Sequence, residues 1–110
     1  MVFVNKVQLI GEVCSQTEFS NVNGNALARF MLLTCDYYLI DGKRFIDRQI
    51  HRIVVAGNQA LLVKNNLERG DEIVIDGSIT TRKISNDRGE ITQLTEVVVH
   101  NILFPFTKRA

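Results

Sequence analysis

The chain of 110 residues has no tryptophan, two cysteines, two histidines and little surplus charge, with 13 basic against 12 acidic side chains and a net charge of +1. No apolar run approaches the roughly 18 residues that cross a bilayer, which excludes a spanning helix. Near-neutrality excludes simple polycation behaviour. Cys14 and Cys35 cannot build a disulfide framework, nor a four-ligand zinc site without both histidines. They read as free, buried thiols. A pairing count through the Asn23-Gly24 turn puts Cys14 opposite Leu33, near enough to Cys35 for a bridge to be conceivable, but nothing points to an oxidising compartment. Met1 to Val7 lacks the basic and apolar regions of a signal peptide, so the cytosol or an organelle matrix is the expected location, with no membrane association. Composition, 45% hydrophobic and 23% charged, excludes disorder, and the length allows one compact domain.

Glycine punctuates what is present. Asn23-Gly24, Asp41-Gly42 and Asp87-Arg88-Gly89 each separate two apolar runs, the pattern of antiparallel hairpins. Five strands are predicted: Val4 to Val13, Ala26 to Cys35, Phe45 to Ala56, Glu72 to Ser85 and Ile91 to Phe104. Between the third and fourth, the segment Gly57 to Gly70 predicts the one helix, with Asn58 capping its start and Gly70 ending it. Ala60, Val63 and Leu67 recur at helical spacing and supply a face to plug a curled sheet. Gly11 and Gly77 sit inside strands, where a missing side chain permits a bend or bulge. The expected fold is all-β, a five-stranded OB-fold barrel with one short α-helix between strands 3 and 4, or another small antiparallel barrel.

Chemistry is harder to find. Asp71, Glu72 and Asp76 are the nearest carboxylates to one another, and they read as a solvated charged edge after the helix. His51 and His100 have no cysteine or carboxylate pattern around them, and no phosphate-loop motif is present. Neither an enzyme nor a cofactor is expected. The basic residues are more informative. Lys43, Arg44, Arg48 and Arg52 face a single acid, Asp47, and Arg82, Lys83 and Arg88 face a single Asp87, whereas residues 58 to 76 are acidic on balance. Arg48 and Arg52 share strand parity with Ile50 and Val54, and Arg82 with Ile84. Guanidinium groups beside apolar side chains on a sheet suit a polyanion whose bases must be covered as well as its phosphates, although a solvated face fits the composition equally.

Longer strings narrow the choice. Asn5-Lys6-Val7-Gln8-Leu9-Ile10-Gly11, His51-Arg52-Ile53-Val54-Val55 followed by Gly57, Gly70, Ile75-Asp76-Gly77, Thr81-Arg82-Lys83 and Thr95-Glu96-Val97-Val98-Val99 resemble, in order and spacing, the bacterial single-stranded DNA-binding protein family. The likeness runs from about Asn5 to Val99. It implies an OB-fold, no catalysis, and dimers or a tetramer that wrap single-stranded DNA on a basic, aromatic-bearing surface. Arg52, Arg82 and Lys83 become implied phosphate contacts, Lys6 and Arg69 weaker ones, and His51 falls near a subunit contact. With the basic arms, the implied DNA site comprises Lys6, Tyr38, Lys43, Arg44, Arg48, Ile50, Arg52, Arg82, Lys83, Ile84 and Arg88.

The departures bear on mechanism. Where the family typically has tryptophan before the histidine, this chain has Ile50; Ala56 replaces a phenylalanine before Gly57, and Ile84 a tryptophan after Arg82-Lys83. Tyr38 alone remains of the usual stacking platforms, with Phe45, Tyr37 or Phe19 as possible substitutes. Each missing platform forfeits about 1 to 3 kcal/mol per base, so binding should lean on phosphate charge. The chain ends in Phe104-Pro105-Phe106-Thr107-Lys108-Arg109-Ala110, giving a DNA-binding domain over 1–106 and a short basic end over 107–110. The family's acidic tip is absent, and tail-mediated recruitment of replication and repair proteins is not expected. Three readings follow: a single-stranded DNA-binding protein of replication, recombination and repair in a bacterial, nucleoid-associated setting; a replication-restart primosome accessory; or an OB-fold interaction module that has lost DNA binding. A homotetramer is favoured, with a dimer open.

Overall fold

Ala26, Ala28, Phe30 and Leu32 occupy every second position of one strand, and burying them on one side requires a sheet that curls around them. In the computed structural model, which describes residues 1–103, that strand is β3 (Asn25–Ile40). It is flanked by β1 (Val7–Val13), β2 (Glu18–Val22), β4 (Lys43–Ala56), helix α1 (Asn58–Asn66), β5 (Glu72–Ser85) and β6 (Ile91–Leu103). The sheet order is β1-β5-β6-β4-β3-β2, and β1 returns to β3 through Glu12 opposite Leu33 and Val13 opposite Leu32. That contact closes the five long strands into a barrel of the OB type. Ile53 and Val55 from β4, Ile73 and Ile75 from β5, and Val97 and Val99 from β6 fill it.

The three predicted reversals form. Asn23 and Gly24, and Asp41 and Gly42, take positive φ at both turn positions, the geometry that matches strand twist and favours asparagine or aspartate followed by glycine. Asn86 organises the third reversal, its Oδ1 accepting from the backbone N–H groups of Arg88 and Glu90 at 2.9 Å each. Gly77 marks a bulge, with the β5–β6 register shifting between Asp76 and Gly77. A Cβ there would strike the Val98 carbonyl oxygen, and one at Gly11 would strike that of Leu33.

Several expectations need correction. A sixth strand, β2, pairs with the first part of β3, so the helix follows the fourth strand in chain order, between β4 and β5. The reason is local: the Asn23-Gly24 turn joins β3 to Glu18–Val22, not to β1. The count that placed Cys14 opposite Leu33 therefore fails; Leu33 faces Glu12, and the Cys14 N–H donates to the Met31 carbonyl at 3.0 Å. Both cysteines are free, but neither is buried, Cys35 being exposed and Cys14 half-buried. The first strand begins at Val7, with Asn5 tied instead by its side chain, which donates to the Ile79 carbonyl and accepts from the Ile79 N–H. Strands β3 and β4 run further than predicted, to Ile40 and from Lys43, as a two-stranded ribbon beyond the barrel.

The helix also starts differently. Gly57, at φ 73°, is its N-cap, and Asn58 gives no side-chain cap; the Gly57 N–H is already used by the Ala26 carbonyl at 2.9 Å. Leu67 closes the helix, while Gly70 turns the chain afterwards at φ 98°. Its predicted face holds, since Ala60, Val63 and Leu67 all enter the core. Asp71 is buried rather than solvated, its Oδ2 accepting from the Glu68 N–H at 2.9 Å. The expected strand end at Phe104, the domain limit at 106 and the basic end 107–110 lie outside the described residues.

Candidate nucleic-acid interface

Cross-strand pairing decides which side of the ribbon each residue occupies, because directly opposed residues share a side. Tyr38 faces Phe45, and Lys43 faces Ile40, on the side that continues the barrel interior. Arg44, Arg48, Ile50 and Arg52 lie on the other, outer side, opposite Leu39, Cys35, Leu33 and Met31. The parity expectation for Arg48, Ile50 and Arg52 is met, and Tyr38 stands apart from them. Ile50 is 64% exposed beside half-buried Leu33, so the tryptophan position is held by an open apolar side chain.

The proposed substitutes for the missing aromatics divide. Tyr38 and Phe45 stack with ring centroids 5.5 Å apart and planes at 16°, both partly exposed at 46% and 40%. Tyr37 is exposed on the outer side across from Ile46. Phe19 is half-buried against the core, with the Lys64 ammonium 4.5 Å from its ring centroid. Ile84 lies on β5 opposite Thr92, and Lys83 points to the other side of β5, opposite Gln93. Lys6 precedes β1, and Arg88 sits in the β5–β6 turn, apart from the main basic face.

Arg52 and Arg82 do converge. They line one groove of about 280 Å³ on the outer side, together with Arg29, Met31, Leu94, Glu18 and Glu96. Glu96 is its electrostatic centre. The carboxylate is almost fully buried, with Oε1 accepting from Arg82 Nε at 2.8 Å and Oε2 lying 3.6 Å from Arg29 Nε. The hydrogen bond from Arg82, reinforced by the charges of both arginines, holds the Glu96 carboxyl below the usual carboxylate range despite the opposing effect of burial. The same bond raises the Arg82 guanidinium pKa.

Sequence reasoning missed Arg29 and Glu96 as partners. Parity carried a signal for Arg29, since it alternates with buried Ala28 and Phe30 and so must face outward. Nothing local could show Glu96 beside it: β6 lies next to β4 by a parallel pairing, Ile53 with Val97 and Val54 with Val98, that no hairpin count reveals. His51 accepts or donates through Nε2 with Thr34 Oγ1 at 2.9 Å, a partner within its own chain. Among the described residues, no group of three or more His, Cys, Asp and Glu side chains is placed to hold a metal ion.

The sequence and the fold are both similar to those of known proteins. The chain is 35% identical over 103 residues to a single-stranded DNA-binding protein of Bacteroides thetaiotaomicron, covering 90% of this chain and 64% of that relative's length. Its fold is similar to that of a Plasmodium falciparum SSB complex with ssDNA, with TM-score 0.87, 25% identity, and coverage of 96% of this chain and 97% of that one. A small single-stranded DNA-binding protein from Streptomyces coelicolor shares the fold at TM-score 0.75 and 15% identity, covering 94% of this chain and 97% of the other. The pattern of the single-strand binding protein family matches residues 4–105, and the chain belongs to that family.

Proposed function

We propose that this protein binds and protects single-stranded DNA, without catalysis, in replication, recombination and repair. The observation that carries the reading is the groove where Arg29, Arg52 and Arg82 meet beside exposed Ile50. Guanidinium groups neutralise phosphates, and the neighbouring apolar and aromatic side chains cover bases. Likeness to a protein solved with ssDNA supports the same assignment. The ligand surface comprises Arg48, Ile50 and Arg52 on β4, Arg82, Lys83 and Ile84 on β5, and the ribbon residues Tyr38, Lys43 and Arg44, with Lys6 and Arg88 at its margins. Residues 1–106 form the binding domain.

The working form is a homotetramer, with His51 near a subunit contact and open strand edges available for pairing between copies. Its place is the bacterial cytoplasm, on the nucleoid. Titration of fluorescent oligo-dT at two salt concentrations, with duplex of equal length as competitor, tests the function. Preference for the single strand, with a log-log salt slope of about −0.7 per neutralised phosphate, is the expected result. Indiscriminate or salt-insensitive binding would contradict it and turn attention to a restart accessory or an interaction module.

A further inference from the structure

Both contacts of the Glu96 carboxylate are to Nε atoms, not to the forked ends of the arginines: a hydrogen bond from Arg82, and a longer ion pair with Arg29, whose buried Nε has no hydrogen-bond partner. Among the described residues, the terminal guanidinium nitrogens of Arg29 and Arg82 have no hydrogen-bond partner in the protein, and both side chains remain close to half exposed. The carboxylate itself is covered, its side chain only 6% accessible. A guanidinium held at Nε loses rotation about its long stem while keeping two outward N–H-bearing ends, the arrangement that suits a phosphate oxygen pair.

Resting on the single-strand reading above, we propose that Glu96 is a positioning residue of the arginine groove. It grips Arg82 and steadies Arg29 from beneath, so that their free ends converge, alongside Arg52, on one phosphate of the bound strand. The three strands that carry these groups explain why a buried acid is tolerated in a surface that binds an anion. Arg29 comes from β3, Arg82 from β5 and Glu96 from β6, and the carboxylate is the shared point that fixes their side chains relative to one another. Ordering two long side chains before the ligand arrives removes that entropy cost from binding. The low position of the Glu96 carboxyl keeps it ionised at neutral pH, as this role requires.

The sign of one substitution separates positioning from bulk electrostatics. Glu96→Gln removes a negative charge, so a simple charge effect would tighten oligo-dT binding. Positioning predicts the reverse, because an amide oxygen offers Arg82 only a neutral hydrogen bond, about half as strong, and the ion pair that steadies Arg29 is lost with the charge. Affinity should fall about tenfold, the lower end of the range seen when the partner that orients a metal-ligating side chain is removed. The salt slope should become shallower by about 0.7, one phosphate contact. Equal or tighter binding by the variant, with the parent protein still salt-sensitive and selective for single strands, overturns the positioning role alone. Absence of single-strand preference in the parent overturns the functional reading and this inference with it. Should the variant not fold, arginine side-chain NMR of the parent decides: the Arg82 Nε–H signal should stay protected on saturation with oligo-dT, and its loss of protection would show that phosphate displaces Glu96.

Discussion

Tyr38 lies flat against Phe45, rings 5.5 Å apart, because the two residues are directly opposed in the β3–β4 ladder. The pair forms a two-ring stack in a chain that has no tryptophan. Phe45→Ala should weaken oligo-dT binding by about 1 to 3 kcal/mol, the contribution of one stacked base. Both rings are partly exposed and outside the core cluster, so thermal stability should change little. Unaltered affinity in the same titration would remove the ribbon aromatics from the site.

Arg82 and Lys83 are neighbours in sequence but face opposite sides of β5, opposed to Leu94 and Gln93. Their alanine variants should therefore differ. Lys83→Ala should weaken binding at an unchanged Tm, whereas Arg82→Ala should weaken binding and also lower Tm by several degrees, since it leaves the buried Glu96 carboxylate without its hydrogen-bond donor. Equal Tm values for the two variants would mean that the ion pair carries no folding role.

Glu96 also sets a pH dependence. Its carboxyl lies lower in the folded chain than the ordinary value of about 4.3. The stability it contributes is present above that ordinary value and is lost as the pH falls through the folded one. The urea midpoint of the parent minus that of Glu96→Gln should be constant near neutrality and shrink as the pH falls below the ordinary carboxylate range. A difference that does not shrink there would show that the carboxylate is not stabilised by its arginines.

Gly77→Ala should destabilise the fold by about 1 to 3 kcal/mol, because the added methyl meets backbone, the Val98 carbonyl, which cannot rotate away. Urea unfolding measures it. A loss below half a kcal/mol would mean that the bulge relaxes to make room.

How much of this was legible in the sequence follows from how far each partner lies along the chain. The Asp41-Gly42 turn is legible, but strands predicted to end at Cys35 and to begin at Phe45 leave out the ribbon, so the pairing of Tyr38 with Phe45 appears only in the structure. The helix face Ala60, Val63 and Leu67 was visible from spacing alone. Strand β2 was not, because only Phe19 of Glu18–Val22 packs toward the core and the segment has no apolar periodicity to read. The outward face of Arg48, Ile50 and Arg52 follows from parity, which is a property of one strand. The meeting of Arg29, Arg82 and Glu96 depends on the order β5-β6-β4-β3, a property of barrel closure that no local pattern encodes.

The β3–β4 ribbon carries its aromatic pair on one side and Arg48, Ile50 and Tyr37 on the other. A single polymer that touches both sides has to pass around the ribbon's edge or over its Asp41-Gly42 tip. On the proposed function, a strand held on both sides would be bent by the protein's own shape, around a corner too tight for a stiff duplex to follow.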